Sequence, residues 1–179
     1  LPVTIALDKV ALDKLVFTAA PGDKPVIVEQ ARVALKWDQQ GIQLDELSVV
    51  MPEGRFSGKG NLNPVGNYPL SLATSVETLS PELPTLKISG EYAGDLHELT
   101  IKEQVTGAVR ADLQVTASQL IKAPGWQGTL DIEKLLPATF SPDIPGILTG
   151  RIKTTGNLQQ AEVSGALSLR ADKAVEMNW

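Results

Sequence analysis

Apolar and polar residues alternate along most of the chain. Val3, Ile5 and Leu7 stand between Thr4, Ala6 and Asp8, and Val10 and Leu12 continue the pattern to Leu15 and Phe17. Val26 and Val28 are followed by Val33, Leu35 and Trp37, then, past Gln39-Gln40-Gly41, by Ile42 and Leu44 and by Leu47, Val49 and Met51. Later runs are Leu70, Leu72, Thr74 and Val76; Leu86 and Ile88; Leu99 and Ile101; Val105, Val109, Leu113 and Val115; Leu130 and Ile132; and Ile152, Val163, Leu167 and Leu169. A period of two is the pattern of strands with one dry and one wet face. Counting runs between breakers predicts about thirteen strands at all-β spacing. Breakers fall where turns are needed, as at Pro21-Gly22-Asp23, Pro52-Glu53-Gly54, Asn63-Pro64-Val65-Gly66-Asn67 and Pro124-Gly125. Short helical turns are expected at Leu79–Leu83 and Glu133–Thr139, and no helix long enough to cover a sheet.

One phrase recurs. Gly90-Glu-Tyr-Ala-Gly94-Asp-Leu96-His-Glu-Leu99-Thr-Ile101 parallels Gly150-Arg-Ile-Lys-Thr-Thr-Gly156-Asn-Leu158-Gln-Gln-Ala161-Glu-Val163, and each is followed by a Gly-led stretch, Gly107-Ala-Val109 or Gly165-Ala-Leu167. The shared order is strand, Gly-Asp/Asn-Leu turn, strand, as a repeated meander produces.

Composition narrows the function. The 179 residues suit one domain or one piece of a longer repetitive protein, and the chain reads as a single segment, 1–179, with no signal segment at its start. A net charge of −5 argues against nucleic acid as a partner. There is no cysteine and one histidine, which excludes disulfides, thiolate chemistry and His-rich metal sites, so no cofactor is expected. Aromatic residues are only 4% of the chain, so the dry faces are aliphatic.

A sheet with one apolar face must cover it. Without helices, two outcomes fit: two faces meet in a closed sandwich core, or a wide sheet bends into a trough whose inner face is covered by a ligand. Periodicity alone leaves both open.

Several phrases in order point to a family. Leu1-Pro2-Val3-Thr4-Ile5 with Val10-Ala-Leu12, the Trp37-to-Leu44 strand pair, Pro52-Glu-Gly54-Arg55, Gly58-Lys-Gly60-Asn-Leu62, Tyr68-Pro-Leu70-Ser-Leu72 and the Gly90-to-Leu99 phrase resemble the TamB family of AsmA-like, or repeating β-groove, envelope proteins. The resemblance implies an all-β fold, an elongated curved antiparallel sheet with a hydrophobic concave face. It implies an internal periplasmic segment of a protein anchored in the inner membrane outside this segment. It also implies a role in carrying phospholipid toward the outer membrane, a TamA-like outer-membrane partner, and involvement in assembling outer-membrane proteins.

On that reading the groove lining is Val3, Ile5, Leu7, Val33, Leu35, Ile42, Leu44, Val49, Leu70, Leu72, Leu86, Ile88, Leu99, Ile101, Val109, Leu113, Leu130, Ile152, Val163 and Leu167. Such a lining offers no polar anchor, so an acyl chain would slide along it. Each buried methylene is worth about 0.8 kcal/mol, so roughly thirty methylenes of a two-chain lipid face a barrier above about 20 kcal/mol in crossing water. Two further readings stay open: a scaffold that templates outer-membrane strands at a sheet edge, and a closed structural sandwich.

No catalytic or metal site is expected, and the protein is read as non-enzymatic. His97 reads as a turn residue without a nucleophile beside it. Asp8, Asp13, Asp45 and Glu46 read as solvated strand charges rather than a glycosidase pair. Gly58-Lys59-Gly60 is too short for a phosphate loop and reads as close strand packing. Arg55 and Lys59 could reach a lipid phosphate at a groove rim, but exposed strand charge is the simpler role.

Overall fold

A computed structural model describes residues 4–18, 20, 24–141 and 143–171. Eleven strands follow in chain order: β1 (Ile5–Phe17), β2 (Val26–Asp38), β3 (Gly41–Met51), β4 (Gly54–Leu62), β5 (Leu70–Thr78), β6 (Leu86–Gly94), β7 (Glu98–Gly107), β8 (Val109–Ser118), β9 (Gly125–Leu135), β10 (Ile147–Asn157) and β11 (Ala161–Arg170). Spatial order equals chain order, and every neighbouring pair is antiparallel. The result is an open, elongated, curved meander about 50 Å long at about 4.8 Å per strand. Its two edge strands do not meet.

Eleven strands form where the alternation suggested about thirteen. The alternation changes phase between Leu7 and Val10, between Leu44 and Leu47, and between Ile132 and Leu135. The register shifts at these places, so each is a bulge within one strand rather than a strand end. At β3, Ala34 pairs with Glu46 and Leu35 with Leu44, which leaves Asp45 as the extra residue. The bulge returns Leu47 to the face occupied by Leu44, where an uninterrupted pleat would have turned it outward.

The expected helical turn at Leu79–Leu83 is a non-helical turn. The one expected at Glu133–Thr139 divides: Glu133–Leu135 stays in β9, and only Pro137–Thr139 forms a 3₁₀ turn. Leu135 pairs with both Val109 and Leu148, so lateral pairing holds it in the sheet.

The repeated phrase is one kind of hairpin turn built twice. The Asp95 carboxylate accepts from the backbone N–H groups of His97 (2.7 Å) and Glu98 (3.1 Å), and the Asp95 N–H donates to the Glu98 carbonyl (2.8 Å). Between β10 and β11, Asn157 Oδ1 accepts from Gln159 (2.8 Å) and Gln160 (3.1 Å), and the Asn157 N–H donates to the Gln160 carbonyl (2.8 Å). The likeness ends there: Gly107 closes β7, whereas Gly165 lies inside β11.

A closed sandwich is overturned. Every substantial contact between elements joins consecutive strands. Ala111 is the only buried apolar residue among those described. Interior strands are half-buried by their lateral neighbours alone, while β1 and β11 are exposed throughout. Cross-strand pairs, worth about 0.2–1 kcal/mol each, and the backbone ladder therefore replace a core.

Glycine lets this layer bend. Gly54, Gly58, Gly60, Gly90, Gly94, Gly107, Gly128, Gly150, Gly156 and Gly165 all occupy the same face as the aliphatic rows. At Gly60 a Cβ would stand 2.8 Å from Leu72 Cα, and at Gly94, with φ +140°, 2.9 Å from Leu99 Cα. Neighbouring backbone thus comes within side-chain distance on that side, which is how glycine kinks curve a sheet.

Two outcomes are expected. Gly60→Val forces β4 away from β5 and costs about 2–3 kcal/mol in chemical denaturation, while Lys59→Val on the other face stays within about 0.5 kcal/mol. Equal effects would remove the glycine argument. The hydrogen bonds from the His97 and Glu98 N–H groups hold the Asp95 carboxyl below its ordinary value. Its contribution is therefore full above the unfolded carboxyl pKa, about 3.9, and fades as pH falls through the folded value. Asp95→Asn, which copies the Asn157 turn, should keep stability at neutral pH and lose less than the parent on acidification. Identical acid profiles of the urea midpoint would refute this.

Candidate aliphatic lipid face

The register decides which side chains share a face. One row runs Leu7, Leu35, Leu44, Gly60, Leu72, Tyr92, Ile101, Val115, Gly128, Thr154 and Val163. The next runs Val10, Val33, Leu47, Gly58, Thr74, Gly90, Glu103, Leu113, Leu130, Ile152 and Gly165. Flanking rows on the same face hold Ile5, Ile42, Leu70 and Leu99 on one side, and Val49, Ile88, Leu167, Leu86 and Val109 on the other. Every described residue expected to line a groove thus lies on one face; Val3 lies outside the described residues. Five rows at about 6.7 Å span about 27 Å along the strands.

This face differs from the expected one in two respects. It is not free of aromatics: Trp37, Phe56, Tyr92 and Trp126 all stand on it. Three of them lie over glycines. The Phe56 ring lies 3.8 Å from where a Gly58 Cβ would be, the Tyr92 ring 2.9 Å from that of Gly90, and Trp126 2.7 Å from that of Gly156. The aromatic rings cover backbone that glycine leaves bare. In the sequence, each aromatic at glycine spacing (Phe56/Gly58, Gly90/Tyr92) was a visible signal of this pairing.

Nor is the face without polar anchors. Trp126 Nε1 donates to Thr154 Oγ1 (3.2 Å), and Tyr92 donates its phenolic proton to Glu103 Oε1 (2.7 Å). Glu103 is half-buried and is the only charged side chain at an aliphatic-face position from β4 to β8. Alternation alone did not reveal it, because a single Glu between Ile101 and Val105 reads as noise until the register is known.

From β3 to β10 the opposite face is mainly polar, while at one end of β1 and β2 the register places Leu15, Phe17, Val26 and Val28 on it. A row of Ser48, Ser57, Ser75, Ser89, Gln104, Asp112, Asp131 and Arg151 crosses eight strands. Asp112 faces Asp131 directly, and the like charges are offset by Gln104 Nε2 donating to Asp112 (3.1 Å) and by the Arg151–Asp131 ion pair. Shallow recesses of about 780 and 710 Å³ lie on this polar face, between Gln114, Thr129 and Lys153 in one and Ser89, Lys102 and Asp112 in the other. The aliphatic face is an open surface with no layer over it.

Arg55 and Lys59 belong to the polar face, Lys59 in mid-strand, so neither borders the aliphatic rows. Gly58 and Gly60 are strand-packing positions within β4, and Asp45 and Glu46 sit at the β3 bulge. His97 is exposed in the turn after β6. Among the described residues no group of His, Cys, Asp and Glu is placed to hold a metal, and no helix is long and apolar enough to cross a membrane.

The Glu103 hydrogen bond and burial together hold the Tyr92 phenol above its ordinary value, partly opposed by Thr74. In a Tyr68→Phe background the remaining phenol should therefore ionise late in an ultraviolet titration. Glu103→Gln should move it back toward the ordinary value, and an unmoved titration would contradict the contact.

Residues 1–124 match the family model described as TamB, N-terminal domain, which covers well over half of the chain. No curated protein matches the chain, and no solved structure does. An open antiparallel meander of this length, with its aliphatic rows on one side, fits that match, and the chain belongs to the TamB family.

Proposed function

We propose that this chain is a periplasmic segment of an inner-to-outer-membrane bridge, and that its aliphatic face carries phospholipid acyl chains. The observation that carries this reading is the gathering of aliphatic rows on one face across eleven strands, with no layer covering them. The face measures on the order of 1,000 Å². Monomeric soluble proteins rarely leave apolar patches of more than a few hundred Å² uncovered, and larger ones mark interaction sites. Its span of about 27 Å exceeds an acyl chain, which fills about 15 Å, half of a bilayer's hydrocarbon thickness.

The mechanism follows from the surface. Acyl chains displace water from Leu, Val and Ile side chains, at about 0.8 kcal/mol per methylene covered. Neighbouring rows offer nearly the same contacts, so a chain passes from one strand to the next without climbing the full cost of re-entering water. Headgroups stay hydrated at the open side. The inner-membrane anchor and the contact with a TamA-like outer-membrane partner lie in other parts of the parent protein. No enzymatic step is needed.

The exposed edges favour one other reading. β1 and β11 present long unpaired edges, and β11 exposes Val163, Leu167 and Leu169. Such an edge can add a strand of an outer-membrane protein by β-augmentation.

Photocrosslinking groups placed at Leu35 and Leu72 should capture phospholipid in cells, and those at Thr4 and Lys36 should not. Capture of lipid only from Thr4 and Lys36 would reject the lipid face, and polypeptide captured along β11 without lipid on the face would favour augmentation. In a Trp179→Phe protein, lipids with brominated chains should quench Trp37 and Trp126, which both stand on the aliphatic face.

A further inference from the structure

The aliphatic track is interrupted near its middle. Glu103 on β7 lies between Gly90 on β6 and Leu113 on β8. Gly90 has no side chain, and the space above it is taken by two hydroxyls. A Cβ there would meet Thr74 Oγ1 at 2.7 Å and the Tyr92 hydroxyl at 2.9 Å. Tyr92 spends its proton on Glu103 Oε1. The phenol and the threonine thus crowd one side of a carboxylate that keeps acceptor capacity for another donor. No Lys or Arg forms an ion pair with Glu103 among the described residues, and the adjacent Lys102 belongs to the polar face.

An acyl chain laid across this point would strip water from an ionised carboxylate and return no hydrogen bond, which is strongly unfavourable. The tail of a bound amphiphile therefore covers the rows on either side, and its polar end belongs at Glu103. A carboxylate with free lone pairs and no cation of its own selects a head that donates N–H and carries positive charge.

We propose that Glu103, with Tyr92 and Thr74, is a headgroup station on the aliphatic face that takes the primary ammonium of an aminophospholipid. This rests on the lipid-carrying reading. Tyr92 acts as a positioning residue: its hydroxyl, over Gly90, fixes the neighbouring Glu103 carboxylate by a hydrogen bond. The track is then a stepped path, with a resting place about halfway along the sheet.

The test uses the whole 179-residue chain. It is incubated with vesicles of equal parts phosphatidylethanolamine, phosphatidylcholine and phosphatidylglycerol with identical chains, re-isolated, and its bound lipids counted by mass spectrometry. The ethanolamine lipid should be enriched about two- to fivefold over the other two, the scale of a half-exposed ion pair. Choline lipid has the charge without N–H donors, and glycerol lipid has the wrong sign. Glu103→Gln still accepts from Tyr92 and should bring the ratio to about one with total lipid unchanged.

Bound lipid without headgroup preference in the parent, or a preference that survives Glu103→Gln, would overturn the station and leave the lipid face standing. The parent comparison holds even if the variant folds poorly. An absence of bound lipid from every mixture would remove the lipid-carrying reading and this proposal with it.

Discussion

A single-layer sheet has nothing behind it. Each strand here is held by the backbone ladder to its neighbours and by side chains lying beside one another on the same face, and among the described residues Ala111 is the only buried apolar one. That constraint shapes everything else. Register must be kept strand after strand, because a slip of one residue would turn a whole row to the other face. The bulges at Asp45 and near Glu133 keep that register where the alternation changes phase. The Asp95 and Asn157 turns set it at two hairpins.

The same constraint links shape to surface chemistry. Where neighbouring backbones close up on the aliphatic side, glycine is the residue that relieves the crowding. Bare backbone would then be exposed on the face that most needs to exclude water, and Phe56, Tyr92 and Trp126 cover it. Aromatics are few in this chain, and three of the four on this face lie over glycines. Tyrosine brings a hydroxyl that needs a partner, and Glu103 supplies it.

For function, the consequence is a surface that is oily in general, with a few polar groups and, from β4 to β8, a single charged one. A uniform aliphatic lining favours sliding in both directions with no preferred stop. A carboxylate in the middle of that lining divides it into two tracts. The polar face, with its serine row and paired charges, keeps the other side of the layer wet and unsuited to acyl chains.

Much of this was legible in the residues alone. Alternation from Ile5 to Leu169 identifies all-β structure, and the described residues expected to line a groove fall on one face, by the period of two within each run and by bulges where the phase changes. Other features depended on tertiary structure. The phase changes at Leu44/Leu47 and Ile132/Leu135 read equally as strand ends or bulges, and only the pairing partners distinguish them. Whether the aliphatic faces close on each other or stay open is decided by the path of the whole sheet, to which local periodicity is blind. The meeting of Tyr92 with Glu103, eleven residues apart, exists only because β6 and β7 pair Gly90 with Glu103 and leave room above the glycine.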